Sequence, residues 1–223
     1  MPKRTTLEDQ CTAVAWPLRQ LAAAKHSEKK WSLGTTTRVA PEQVVAAHLE
    51  ERGADVSWCE GGSINVLIKA AALDALAIHN IFQDRQDAVR RYLEAQFTLL
   101  KDHRESVLAA IDTVDQNRLT KNLDEILGDA FIQEAYPRVS CAFVRQLASI
   151  VDRSLLTKIA NLFFEKPYEY RAGWPDLSVL DGHRLSFVEV KTTDLLHASQ
   201  LRFAKEIAAP LGLHCQVIQL HSA

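Results

Sequence analysis

The chain has 223 residues, 47% hydrophobic and 24% charged, with a formal charge of −2 and a pI near 6.4. That balance excludes a disordered polyelectrolyte and a strongly basic nucleic-acid coat; a nucleic-acid surface would have to be a local patch. The four cysteines (Cys11, Cys59, Cys141, Cys215) are far apart and form no C-x-x-C pair, which fits a reducing cytoplasmic setting without a zinc site, and neither an apolar signal core nor a run of about 20 apolar residues points to a membrane.

Residues 1–40 read as a short helix over Thr12–Ala24 and a charged, Ser/Thr-rich exposed connection over Lys25–Arg38. Lys25, Lys29, Lys30 and Arg38 fit a solvated basic linker or contacts to phosphate, the linker being the simpler reading. Pro41 suits the first turn of a helix whose apolar side is Val44, Val45, Ala46, Ala47 and Leu49, ending at Gly53. A strand over Ala54–Trp58 follows, then Cys59-Glu60-Gly61-Gly62-Ser63, and a nearly all-apolar helix to Phe82 with Ser63 as its cap. Glu60 could simply complement that helix's dipole. A carboxylate beside two glycines at the mouth of a buried helix is equally a candidate ligand.

From Asp84 to Phe164 the spacing is helical throughout: Val89, Leu93, Phe97 and Leu100 first, shorter pieces to Ala135, then one long helix over Arg138–Phe164. Arg90, Arg91 and, further on, Arg171 are candidates for nucleic-acid backbone contacts, which carry no sequence information. Residues 41–165 form a helical region, and 166–223 the segment in which the chemistry concentrates, the two expected to pack as one compact unit.

Tyr170–Lys191 reads as a β-hairpin, with Leu177 and Val179 on one strand, a turn at Asp181-Gly182, and Leu185, Phe187, Val188 and Val190 on the other. Glu189 and Lys191 are two apart and share a face, and Asp176 can meet them from the partner strand. Two carboxylates and an ammonium at adjoining strand ends describe a hydrolytic site for a hard divalent cation such as Mg²⁺ or Mn²⁺. Taken singly, each has a plainer reading: Asp176 as a turn residue, Glu189 and Lys191 as the solvated face of an edge strand, Gln200 as an exposed helix residue. Thr192, Thr193 and Asp194 are candidate caps for a helix to Leu211, and His214–Leu220 alternates as a last strand. Strand, strand, helix, strand gives an α/β fold: a mixed sheet flanked by helices.

At G-W-P-D-L and F-V-E-V-K the chain resembles the PD-(D/E)xK nucleases, specifically the virus-type replication-repair (VRR) family. The upstream W-C-E-G-G-S and the helix ending L-D-A-L resemble the Fanconi-associated nuclease branch. The resemblance implies a restriction-endonuclease-like core and a metal-dependent DNA endonuclease for flapped, branched or junction DNA in replication or repair. It implies Asp176, Glu189 and Glu60 as metal ligands with the Val190 carbonyl, Lys191 as the group that orients the attacking water, and Gln200 as a positioning side chain. It further implies that the three carboxylates converge on one ion. Two departures stand out: the Lys191–Gln200 segment is a residue shorter than in that branch, and Leu195 replaces a basic residue. Two other readings compete: an antibacterial effector toxin acting in a target-cell cytoplasm with an immunity protein as partner, and a non-catalytic nucleic-acid-binding module.

Overall fold

A computed structural model describes residues 5–34, 37–82 and 84–222. The chain divides into two compact units, one made of the residues up to Glu60 together with Gly173 onward, the other of Gly61–Ala172.

The first unit is a six-stranded mixed sheet. Its strands are β1 (Leu18–Ser27), β2 (Lys30–Ser32), β3 (Asp55–Trp58), β4 (Leu177–Asp181), β5 (Arg184–Lys191) and β6 (Cys215–Ser222), in the order β2-β1-β6-β5-β4-β3. β1 and β5 run parallel to β6, and the remaining pairs are antiparallel. β5 is therefore an inner strand, buried on both faces from Phe187 to Lys191. On one face Leu177, Val179, Val188 and Val190 join Val44 and Val45 of α2 (Pro41–Glu50) in a common core that includes Trp31 and Ile218. On the other, Phe187 packs edge-on to Trp174, whose ring also meets Phe203 of α12 (Ala198–Phe203) at 4.6 Å. The edge-strand reading of Glu189 and Lys191 is thereby excluded: they are 1% and 6% exposed.

The hairpin of β4 and β5 forms with Leu177 opposite Val188 and Asp181 opposite Arg184, so Gly182 and His183 make the turn. Pro41 opens α2, as its fixed φ favours.

The N-terminal region departs from the sequence reading. Helix α1 spans Leu7–Ala13, with Thr6 and Asp9 forming a capping box, and ends before Pro17. Residues 18–32 are then a strand pair, where a helix over Thr12–Ala24 and an irregular connection had been expected. The alanines of Leu21–Ala24 favour helix intrinsically, but pairing Leu18–Ala23 with Val217–Ser222 satisfies the backbone along an otherwise open edge of β6, and tertiary context prevails.

The second unit is helical. Around α3 (Gly62–His79) pack α4 (Arg85–Arg90), α5 (Leu93–Leu99), α6 (Arg104–Thr113), α7 (Gln116–Gly128), α9 (Cys141–Ile150) and α10 (Arg153–Glu165), while α8 (Ala130–Ala135) packs on α4 and α7 and α11 (Pro167–Tyr170) on α5 and α10. By length and apolarity α3 is long enough to cross a bilayer, contrary to the expectation that no segment would be, yet 72% of it is buried within the fold, as a core helix requires. It starts one residue ahead of the expected Ser63 cap, behind Gly61 in a left-handed conformation. The long helix expected over Arg138–Phe164 is two, because Val151 is extended and Asp152 caps α10 through Ser154 N. Asp84, Asp115, Asp129 and Ser140 end neighbouring helical runs likewise, each side chain accepting an orphan amide of the next helix. Lys69, buried on α3, donates to the carbonyls of Val89 and Arg91 at the end of α4, and burial pushes its pKa down to about 7.

Candidate active site

Gly173-Trp174-Pro175-Asp176 enters β4 by way of a close backbone approach. A Cβ at Gly173 would stand 2.2 Å from the Ser199 carbonyl oxygen, and its φ is +90°. Glycine is required here on both counts. The turn it allows carries Asp176 to the end of the β4–β5 ladder. By the register of that ladder Pro175 would be the next residue opposite Val190. The Val190 amide donates instead to Asp176 Oδ2 at 2.9 Å.

Glu189 and Lys191 project from the same face of β5, and Lys191 Nζ lies 2.8 Å from Glu189 Oε1. Gln200, on the first turn of α12, clasps both: its Nε2 donates to Glu189 Oε1 at 2.5 Å, and its Oε1 accepts from Lys191 Nζ at 3.1 Å and from the His197 amide at 2.8 Å. Helix α12 begins at Ala198 with His197 at the N-cap position, so none of Thr192, Thr193 and Asp194 caps it; Asp194 lies in the preceding loop.

The half-buried Asp176 carboxyl and the buried Glu189 carboxyl act on each other. Burial above all, then the charge of Glu189, raises the pKa of Asp176 well above the carboxylate range. Glu189 is raised as well, by burial, against the opposing pull of Lys191 and Gln200. Glu189 Oε2 is buried and has no hydrogen-bond partner among the described residues, while the Asp176 carboxyl lies close enough to act on Glu189. Two adjacent carboxyls, one with a buried oxygen that lacks a partner, call for a cation or a shared proton.

Glu60 is held by the same sheet. Following β3, its amide donates to the Asp176 carbonyl at 3.3 Å, and its φ of +48° is strained for a residue with a side chain. The Glu60 side chain is exposed on the cleft that also contains Asp176, Glu189, Lys191 and Gln200, with a volume of about 510 Å³. The expected convergence on one ion is not formed: among the described residues no three Asp, Glu, His or Cys side chains stand together closely enough to hold a metal. Asp176 and Glu189 form the inner pair, and Glu60 faces the cleft outside it.

The cleft also brings in residues outside the expected metal-ligand set. Glu42 comes from the first turn of α2 and adds to the charge acting on Asp176, Lys29 and Glu28 come from the β1–β2 turn, and His197 from the start of α12. Six carboxylates (Glu28, Glu42, Glu60, Asp176, Glu189, Asp194) thus face two ammonium groups, Lys29 and Lys191. The arginines considered for backbone contacts are engaged elsewhere: Arg90 pairs with Asp129 at 3.1 Å, Arg91 with Asp87 at 3.0 Å and Arg171 with Glu94 at 2.8 Å.

Solved structures share this architecture. Over 99% of its length the chain superposes on paFAN1 bound to a 2-nucleotide 5′-flap DNA with gap, with a TM-score of 0.67 and 20% identity. The chain adopts a paFAN1-like fold. A second paFAN1 structure, bound to a 1-nucleotide 5′-flap DNA with gap, matches 93% of the chain with a TM-score of 0.60 and 22% identity. The chain spans 39% and 38% of those two paFAN1 chains. No protein-family model matches it, and no curated protein matches it significantly.

Proposed function

We propose that this protein is a metal-dependent deoxyribonuclease that hydrolyses phosphodiester bonds in flapped or branched DNA, acting in replication or repair. The observation that carries the reading is the half-buried Asp176 and the buried Glu189, adjacent carboxylates beside a buried Lys191 on one cleft. Its resemblance in fold to paFAN1, seen with flap DNA, supports the choice of substrate.

The donor set fits a hard divalent cation such as Mg²⁺ or Mn²⁺. Asp176, Glu189 and the Val190 carbonyl would hold it, with Glu60 and Glu42 available on the cleft wall. Bound there, the ion would supply positive charge against the charge that builds on the phosphoryl group and would acidify water. The chain's own contribution is rigid placement. Lys191 is anchored by Glu189 and Gln200, so its ammonium needs no reorganisation to orient the attacking water and to face a phosphoryl oxygen. Gln200 fixes Glu189 and Lys191 relative to each other, because one amide group bonds both. The strained Glu60 turn and the Gly173 approach hold the remaining acids on the same sheet end.

The test is a substrate panel. Purified protein incubated with 5′-flap, branched, linear duplex and single-stranded DNA is expected to cut the flapped and branched forms with Mg²⁺ or Mn²⁺ and none of them in EDTA. Absence of cutting on every substrate with either metal, or equal cutting in EDTA, would overturn the proposal.

A further inference from the structure

The mechanism above leaves Lys29 unused. It lies in the two-residue turn between β1 and β2, exposed, and lines the same cleft as Asp176, Glu189 and Lys191. The arm that carries it is fixed at its base. Trp31 is 3% exposed in the sheet core and exchanges both backbone hydrogen bonds with Val39 at 2.9 Å. The tip is fixed as well: Lys25 bonds Glu28 at 2.9 Å and lies over the Trp31 ring, and His26 Nε2 lies 2.8 Å from Ser32 Oγ. A stiff hairpin with a cation at its end reaches the cleft.

Charge decides what that cation is for. The cleft walls carry six carboxylates against two ammonium groups. Of the two, Lys191 is committed to Glu189, whereas Lys29 makes no ion pair with a described residue. A polyanion entering this cleft meets the acids Glu42, Glu60 and Asp194, and Lys29 is the exposed ammonium among the cleft's lining residues. Resting on the nuclease reading, we propose that the β1–β2 hairpin is the arm that receives the bound strand, with Lys29 contacting a backbone phosphate beside the one cleaved. Such a contact is independent of base sequence and holds register. It also gives the cleft what its acids lack, a protein cation free to meet the strand. Lys30, on the hairpin face opposite Trp31, extends the same charge along the arm.

The test uses the full chain and fluorescein-labelled 5′-flap DNA, read by anisotropy over a series of KCl concentrations, in EDTA and again with CaCl₂. Lys29→Glu is compared with Lys29→Arg and with Lys205→Glu, an exposed lysine of α12's continuation outside the cleft that changes net charge equally. Lys29→Glu is expected to weaken binding at least about tenfold and to lower the slope of log K against log salt by about 0.7–0.9, the value of one phosphate contact. Lys29→Arg should stay within about twofold of wild type, and Lys205→Glu likewise. Equal weakening by Lys29→Glu and Lys205→Glu, an unchanged slope, or no DNA binding by the wild type would overturn the proposal. Cleavage with Mn²⁺ is measured separately. Cutting by wild type with an unchanged slope in Lys29→Glu rejects the hairpin and spares the nuclease. Hairpin-dependent binding without cutting does the reverse.

Discussion

Replacing Gly173 with alanine probes how the Pro-Asp turn is held against α12. Gly173 has φ +90°, and an added Cβ would stand 2.2 Å from the Ser199 carbonyl oxygen and 2.4 Å from its carbon. Both are backbone atoms of the turn that presents Gln200, so no side chain can swing aside. The positive φ costs about 1–2 kcal/mol for a residue with a Cβ, and forcing close-packed backbone apart about 1–3 kcal/mol more. Relief of the clash needs a movement of about 1 Å, which separates Asp176 from the Gln200 clasp that fixes Glu189 and Lys191. A misplacement of that size can lower turnover about 10²-fold. Gly182 supplies the control: its φ is +59°, but nothing lies within 4 Å of a Cβ there, so Gly182→Ala bears the backbone cost alone. Thermal melting and single-turnover cleavage of a 5′-flap substrate with Mn²⁺ separate the two. Gly173→Ala should melt well below Gly182→Ala and cleave about 10²-fold more slowly. If the two variants melt together and cleave within about threefold of each other, the close approach does not position the site.

Asp176→Asn should stabilise the protein in EDTA. Burial and the neighbouring Glu189 raise the folded pKa of Asp176 above its unfolded value of 3.8, so the folded state holds a proton that the unfolded state releases. The stability this group contributes is full below about pH 4 and is lost as pH rises through the folded pKa. Melting curves from pH 4 to 8 should therefore show a gain for Asp176→Asn that grows with pH and exceeds about 2–4 °C at pH 8, the shift of about 1 kcal/mol in a domain of this size. A variant that melts below wild type across the range would refute the assignment. Gln200→Ala, which cuts three hydrogen bonds at one stroke, should lower turnover about tenfold or more, and Gln200→Glu should not restore it, because a carboxylate cannot donate to Glu189. Turnover equal to wild type in Gln200→Ala would remove it from the site.

The β4–β5 hairpin was legible because two periodicities agree there: alternating apolar residues and a two-residue turn with glycine in it. The motif singled out Glu189 and Lys191, and the inner position of β5 explains why they are buried. The N-terminal strand pair was not legible. Its alanines carry no strand preference, and its pairing partner lies almost two hundred residues away in β6. Glu42 and His197 were missed for the same reason. Each lies on a different element, and only the sheet order brings them to one cleft. The sequence could have hinted at Glu42, an acid directly behind a helix-opening proline. Glu60 is intermediate: its place beside Asp176 comes from β3 pairing with β4, yet its side chain stays outside the inner carboxylate pair.

The most direct test of the central claim compares wild type with Lys191→Ala. Rates are measured on 5′-flap DNA under single-turnover conditions, with Mg²⁺, with Mn²⁺ and in EDTA. Wild type should cut only with metal, and Lys191→Ala should cut about 10²–10³-fold more slowly, the loss expected when one preorganised charge is removed from a transition state. Equal rates for the two proteins, or cutting that persists in EDTA, would contradict it.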